Sequence, residues 1–337
     1  MNASYSAALE NAAWRPLSHF GRFRVAGRDA ATLLHHLTTN DIKTLRAGHG
    51  SEAALISAKA RLLDWLSIYR DGEGFLVVTS PNRREIFAPH ARKFILYRQE
   101  VQIEDITEQS AMWGLLGPDA LKVLFTLVGR ELTLKNGHFA SIEIDGVGCC
   151  FACTPRLPQG FWLWSNDREG MQRIVTKSGL PMIDDATYNI LRVEAGVPVA
   201  GLELSEEINP WEACLDAAIS LHKGCYNGQE VVARLNTYQK ISKRLCGLSL
   251  ASPIPNGARA ELKDGERVAG WISSSVVSPR CGPIALGFVR GDWQAKGTVL
   301  KVLWDASGGT REETQATICT LPFGELLAAS PLVEEKL

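Results

Sequence analysis

The chain has 337 residues, of which 45% are hydrophobic and 22% are charged, and its formal net charge is −1. This is the composition of a globular protein long enough for two or three domains. The near-zero charge excludes a global positive field, so no direct nucleic-acid partner is expected. No apolar run approaches the roughly 20 residues that a membrane-spanning helix needs, and the first residues do not resemble a signal peptide. We therefore expect no membrane partner and a cytoplasmic location, which the eight scattered cysteines also favour.

The first part of the chain alternates between strand and helix patterns. Strands are predicted at residues 19–25, 53–56, 62–69, 75–79 and 101–106. A helix is expected after Asp29, a candidate N-cap, and a second over residues 81–95, where Pro89 is positioned to interrupt it. The Asp71-Gly72 pair predicts a hairpin turn between two of the strands.

A second unit repeats this alternation before the pattern changes. It has strands predicted at residues 112–116, 139–144, 147–154 and 161–164, with helices at 118–128, 167–177 and 188–195. After Ser242 only short strands separated by Pro, Gly and Asp-Gly turns follow, at 244–250, 258–262, 267–275, 284–289, 299–302 and 315–319. The sequence thus predicts an α+β body over residues 1–240, with sheet subdomains at about 17–108 and 109–240, and a small β-barrel domain over 241–337.

The most unusual segment is Lys-Gly-Cys-Tyr-Asn-Gly-Gln-Glu at residues 223–230. Its glycines, Gly224 and Gly228, allow a tight turn, and a helix is predicted to begin at Gln229. A cysteine before a helix N-terminus and near a lysine can have a lowered pKa, which would make Cys225 a nucleophile or a soft metal ligand. On residue type alone, Cys225 could equally be a small buried apolar side chain.

These eight residues closely resemble the Lys-Gly-Cys-aromatic-x-Gly-Gln-Glu signature of the folate-binding YgfZ family. Residues 191–198, Leu-Arg-Val-Glu-Ala-Gly-Val-Pro, resemble a helix end of the wider glycine-cleavage T-protein superfamily, and residues 57–64 more weakly resemble the strand that leads to its aspartate. The resemblance spans roughly residues 17–302. It implies a T-protein-like fold, tetrahydrofolate as ligand, and a role in assembling or repairing iron–sulfur clusters, especially [4Fe–4S] clusters, with client or assembly proteins as partners.

The resemblance also implies roles for particular residues. Glu194 matches the glutamate that binds the pterin, a contact suited to a carboxylate facing two parallel N–H groups. Tyr188 and Phe20 match positions of aromatic rings near the folate, although both could simply be core residues. In the cysteine segment, Cys225 would carry thiol chemistry that Lys223 tunes. The remaining members would shape and position the loop: Gly224, Tyr226, Gly228, Gln229 and Glu230.

The rival function is tetrahydrofolate-dependent aminomethyl transfer from a lipoyl group, as in the T-protein itself. Asp64 aligns with the catalytic aspartate of that family and favours this alternative. Leu63 stands where T-proteins usually carry a second acid, and Thr79 replaces a common asparagine. These departures, together with Cys225, count against it and predict little glycine-cleavage activity. A further alternative is a scaffold whose loop binds a partner without folate.

No resident metal site is predicted. Cys150 and Cys153 form a CxxC pair, but on a strand their side chains would point to opposite faces, and no second pair follows at zinc spacing. His35 and His36 lie on a predicted helix without a suitable partner at i+4.

Overall fold

The computed structural model describes residues 3–130, 137–157, 160–237, 241–255, 257–305 and 310–324. The first sheet has five antiparallel strands in the order β3-β4-β5-β2-β6. Its strands are β2 (Phe20–Ala26), β3 (Gly50–Ile56), β4 (Leu62–Asp71), β5 (Gly74–Pro81) and β6 (Gln102–Asp105). Helices α2 (Ala30–Leu37) and α3 (Arg84–Arg92) pack against this sheet through its apolar face.

A second five-stranded sheet has the order β1-β7-β10-β9-β8. Its strands are β1 (Ala13–Pro16), β7 (Ala111–Leu116), β8 (Phe139–Ile144), β9 (Val147–Cys153) and β10 (Gly160–Ser165). Helices α4 (Ala120–Val128) and α5 (Arg168–Lys177) cover one face of it. Aromatic side chains from both sheets meet in one shared core cluster, so the two sheets pack together through their other faces.

The last six strands close into a barrel in the order β11-β14-β13-β12-β15-β16. They are β11 (Lys243–Leu250), β12 (Ala260–Asp264), β13 (Arg267–Ser278), β14 (Gly282–Arg290), β15 (Val299–Asp305) and β16 (Arg311–Cys319). Two further helices, α6 (Asp185–Ala195) and α7 (Gln229–Thr237), lie before it in the chain. All six predicted barrel strands are present. The predicted fold class, an α+β body with a C-terminal β-barrel, is confirmed.

Some local predictions need correction. Helix α3 is shorter than the predicted helix over residues 81–95, and Pro89 lies within it rather than ending it, so that this short helix lacks one backbone hydrogen bond. The Asp29 side chain makes no capping hydrogen bond to α2; it accepts instead from the backbone N–H of Glu100 at 2.9 Å. The proposed boundary at residue 240 lies outside the described residues.

Two N-terminal elements were not predicted. Helix α1 (Ala3–Glu10) buries Tyr5 in the shared core between the sheets, and strand β1 adds an edge to the second sheet beside β7. The Ala-rich segment has no strong amphipathic pattern, because its buried face consists of Tyr5 and the small side chain of Ala8. The position of α1 depends on its tertiary contacts and not on a local sequence pattern.

Candidate functional site

Asp64 is a buried carboxylate on β4, 1% exposed. One oxygen accepts from the backbone N–H of Trp65 at 2.7 Å, and both lie 3.2 Å from the backbone N–H of Ser80 at the end of β5. Burial raises the pKa of Asp64 from 3.8 to about 6, although the charge of Arg156 and these hydrogen bonds oppose the shift. A carboxyl group with such a pKa can exchange a proton near neutral pH.

Next to Asp64 lies a group that we call the central cluster: the guanidinium of Arg156 and the aromatic rings of Phe20, Trp65, Tyr69 and Trp162. The guanidinium carbon lies 5.4 Å from the Phe20 ring, 5.1 Å from Trp65 and 5.3 Å from Trp162. Since these residues come from β2, β4, β10 and the β9–β10 turn, the cluster joins the two sheets. The cluster is a buried group of aromatic rings packed around one fixed cation.

Two polar atoms of the central cluster, the indole N–H of Trp65 and the hydroxyl of Tyr69, have no hydrogen-bond partner among the described residues. The indole N–H of Trp65 is buried and makes no hydrogen bond there. Buried polar atoms are nearly always satisfied in native proteins, so such an atom needs an explanation. Aromatic walls and a free N–H donor suit a flat heterocycle with acceptor atoms, such as a pteridine.

Phe20 and Tyr188, which the sequence placed near folate, both lie at the central cluster. Phe20 packs edge-on against Trp162 with ring centroids 5.6 Å apart. The Tyr188 hydroxyl donates to the backbone carbonyl of Arg156 at 3.1 Å, and the Arg15 guanidinium lies over its ring. The fold thus brings these two residues and Asp64 to one region, while their role toward folate stays a prediction.

Glu194, on α6, is fully buried and already has several partners. Its Oε1 accepts from the hydroxyls of Tyr5 and Ser278, both at 2.5 Å, and its Oε2 from the guanidinium of Arg280 at 3.1 Å. It therefore ties α1 and the barrel to α6. A carboxylate offers about four acceptor positions, and these three hydrogen bonds occupy three of them. The predicted pterin contact stays a prediction.

Lys223 has a well-defined structural environment. Its ammonium donates to the backbone carbonyls of His35, Thr38 and Asn40, at 2.5, 2.5 and 2.7 Å. Burial lowers the pKa of Lys223 to about 7. Because three acceptors need all three ammonium hydrogens, we infer that the lysine is charged in the folded protein. Its position fixes the loop to the C-terminal end of α2; tuning of Cys225 stays a prediction.

The rest of the cysteine loop presents Cys225 on the surface. The Cys225 side chain is exposed, whereas Tyr226 is buried and lies 4.7 Å from the Lys223 ammonium. Gly228 adopts φ +80°, and a Cβ there would meet the carbonyl of Ser57 at 2.7 Å, so only glycine fits. The loop is therefore held against the β3–β4 turn, which leads directly to Asp64.

The remaining loop members act locally. The Gln229 side chain accepts from the backbone N–H of Tyr226 at 3.3 Å, and Glu230 pairs with Arg234 on the exposed face of α7. Gly224 has open space around it, with the His35 ring nearest at 3.6 Å. Helix α7 begins at Gln229, where the sequence placed a helix start.

Sequence reasoning missed Arg156 and Glu52. Arg156 sits in a Pro-containing turn and resembles an exposed turn residue, although its side chain is buried. Glu52 on β3 faces Ser67 on β4, whose hydroxyl donates to it at 2.8 Å. No local spacing signals either residue, because their partners come from distant parts of the chain.

The described residues contain no group of three or more His, Cys, Asp or Glu side chains that could hold a metal ion. Cys150 and Cys153 pack into different core clusters on opposite faces of the second sheet, as their spacing on a strand predicts. Across the same described ranges, no helix is long and apolar enough to cross a membrane.

Comparison with known proteins gives the family. The sequence-family model of the GCVT N-terminal domain matches residues 1–223. The family model of the glycine cleavage T-protein C-terminal barrel domain matches residues 243–324. This chain belongs to the glycine cleavage T-protein family. The predicted T-protein-like fold is confirmed. Membership in the YgfZ branch is a finer assignment that these matches do not reach.

Individual relatives agree with this family. A chloroplastic protein of Arabidopsis thaliana, provisionally named as a transferase, is 31% identical over 297 residues, which are 87% of this chain and 68% of that protein. An aminomethyltransferase of Rubrobacter xylanophilus is 31% identical over 86% of this chain and 79% of its own length. The crystal structure of aminomethyltransferase T from Bartonella henselae superposes with a TM-score of 0.81 at 22% identity, covering 96% of this chain and 89% of that one, which supports the fold.

Proposed function

We propose that this chain binds tetrahydrofolate at the central cluster and transfers a one-carbon unit to it, as an enzyme of the aminomethyltransferase type. The observation that carries this proposal is the buried carboxylate of Asp64, with its raised pKa, beside an aromatic site that has an unpaired N–H donor. The relatives named aminomethyltransferase, which match over most of their length, support the same reaction.

In this proposal the residues have distinct tasks. The rings of Phe20, Trp65 and Trp162 would bind the flat pteridine, and the Trp65 N–H would donate to one of its acceptors. Ionised Asp64 would take up the proton that tetrahydrofolate loses when it accepts the one-carbon unit. The remaining acceptor position of Glu194 would receive an N–H of the ligand.

The departures at residues 63 and 79 do not remove this chemistry. The Thr79 hydroxyl accepts from the backbone N–H of Gly21 at 2.9 Å, so it joins β5 to β2. Leu63 packs in the apolar core between the first sheet and its helices. Asp64 is then the acid of this strand that reaches the central cluster. The low activity expected from sequence is thus replaced by an expectation of measurable transfer.

The test is a transfer assay with an aminomethyl-lipoyl carrier protein and tetrahydrofolate. Wild type should form the methylene derivative of tetrahydrofolate, releasing ammonia and the reduced lipoyl thiol, and Asp64→Asn should form it about 100-fold more slowly. No turnover above the uncatalysed rate, from folded wild-type protein, would contradict the transferase proposal.

A second candidate function rests on Cys225. The Cys225 thiol is exposed on a loop that Lys223 and Gly228 hold in place. One-carbon transfer through Asp64 has no use for this thiol. We therefore keep the second proposal that the chain serves iron–sulfur cluster assembly or repair, as in the YgfZ family, with Cys225 as the acting thiol. Both functions can share the folate site.

The cysteine proposal predicts the order in which the thiols react. Cys225 should be alkylated first, before the buried Cys149 and Cys153, because burial raises their pKa values to about 11 and about 12. Cys214 is a matched control: it is exposed too, but its sulfur contacts the Leu245 carbonyl at 3.6 Å. Pulse alkylation followed by peptide mass mapping measures the order.

The same pair of cysteines separates a functional thiol from a merely exposed one. In a strain lacking this protein, Cys225→Ser should fail to restore the activities of iron–sulfur enzymes, whereas Cys214→Ser should restore them. Full restoration by Cys225→Ser, together with slow labelling of Cys225, would exclude this second function.

A further inference from the structure

Two serines, Ser67 and Ser80, connect two acids of the first sheet to one cation. At one end, Glu52 accepts from the Ser67 hydroxyl at 2.8 Å, and Arg156 donates to that hydroxyl at 3.3 Å. At the other end, Arg156 donates to the Ser80 hydroxyl at 3.0 Å, and the Ser80 N–H lies 3.2 Å from both oxygens of Asp64. The guanidinium is thus the centre of a network with an acid at each end.

The position of Arg156 is fixed on every side. Besides the two serine hydroxyls, it donates to the carbonyls of Val78 at 3.4 Å and Thr79 at 3.2 Å. Three aromatic rings surround it, and its side chain is buried. A guanidinium held in this way is a permanent charge that water screens poorly, so its effect on nearby carboxyl groups is strong.

We propose that Arg156 is the positioning residue of this site, which keeps Asp64 ionised and oriented, and that Glu52 is a second acid sharing the same cation. The assignment deepens the proposed transferase function and rests on it for its biological meaning. Its physical content is independent of folate, because it concerns the chain's own residues.

The charge balance explains why one cation serves two acids. Burial raises the pKa of Glu52 to about 7 and that of Asp64 to about 6, while Arg156 acts in the opposite direction on both. Of the two acids, Glu52 therefore holds its proton to the higher pH. Among the described residues, the phenols of Tyr69 of β4 and Tyr188 of α6 border this network, and the thiol of Cys153 of β9 lies near Tyr69.

Carboxyl NMR on protein labelled with ¹³C at aspartate and glutamate side chains tests this assignment, with Asp64→Asn and Glu52→Gln identifying the two signals. In Arg156→Gln, the midpoint of the Asp64 titration should rise by roughly one pH unit or more, because an opposite charge has been removed. Arg156→Lys, which keeps the charge, should return the midpoint toward the wild-type value. An unchanged midpoint in folded Arg156→Gln would overturn the proposal.

A second variant covers the case in which Arg156→Gln does not fold. In wild type, the Asp64 signal should respond in two steps, because Glu52 titrates nearby; Glu52→Gln should leave one step. A single step in both proteins would also overturn the assignment. If the expected shifts occur but wild type shows neither folate binding nor transfer, the role of Arg156 is supported and the proposed function is wrong. If wild type binds folate but the shifts do not occur, the proposed function is supported and the role of Arg156 is wrong.

Discussion

Replacing Lys223 with methionine should lower the free energy of unfolding by about 3 kcal/mol, since three carbonyls lose a charged donor. His35 lies in the last turn of α2, and Thr38 and Asn40 follow it, so the ammonium also satisfies the negative end of the helix dipole. Methionine has a similar length but no donor. Chemical denaturation followed by circular dichroism measures the loss.

Lys43 provides a matched control for this experiment. It is exposed and contributes charge near Lys223, yet it makes no comparable set of contacts among the described residues. Lys43→Met should change the free energy of unfolding by less than about 0.5 kcal/mol. If Lys223→Met is as stable as wild type but labels more slowly at Cys225, the lysine tunes the thiol, as the sequence suggested, and our structural interpretation is wrong.

Replacing Asp64 with asparagine should reduce the rate of one-carbon transfer by about 100-fold or more, the usual contribution of a positioned acid or base. Asparagine keeps an oxygen that can accept from the N–H groups of Trp65 and Ser80, so the local structure should persist. Wild-type activity should rise with pH through about 6, as Asp64 loses its proton. Initial rates measured from pH 5 to 8 test both statements.

The stability of the same variant gives an independent control. The folded-state pKa of Asp64 lies above the ordinary value of 3.8, so the protonated carboxyl stabilises the folded state. This stabilisation is lost as pH rises from about 4 to about 6. Asp64→Asn should lack this part of the pH dependence while remaining folded. Transfer at the wild-type rate in the folded variant would show that Asp64 is not the acid or base of the reaction.

The barrel could be predicted from sequence because its signals are local. Each strand, such as β12 and β13, is short, is bounded by Gly, Pro or Asp-Gly, and pairs with a neighbour through a tight connection. The cysteine loop was found for a similar reason: Gly224, Gly228 and the helix start at Gln229 lie within six residues. Patterns of this kind depend on backbone conformation and not on distant partners.

The central cluster could not be predicted because its contacts join distant residues. Arg156 lies 76 residues from Ser80 and 89 from Ser67 along the chain. A buried arginine is unusual, and nothing near residue 156 indicates that three aromatic rings will enclose it. Helix α1 was missed for the same reason, since the bond between Tyr5 and Glu194 spans 189 residues.

The most direct test of the central claim is a calorimetric titration of the wild-type protein with tetrahydrofolate under anaerobic conditions. We expect one molecule bound per chain. Trp65→Phe, which removes the unpaired N–H but keeps an aromatic ring, should weaken binding by about 1 kcal/mol, or roughly fivefold. Trp271→Phe, a barrel tryptophan that packs against Phe288, should bind as wild type does. Unchanged affinity in Trp65→Phe would show that the ligand does not bind at the central cluster. No detectable binding by folded wild type would contradict the account.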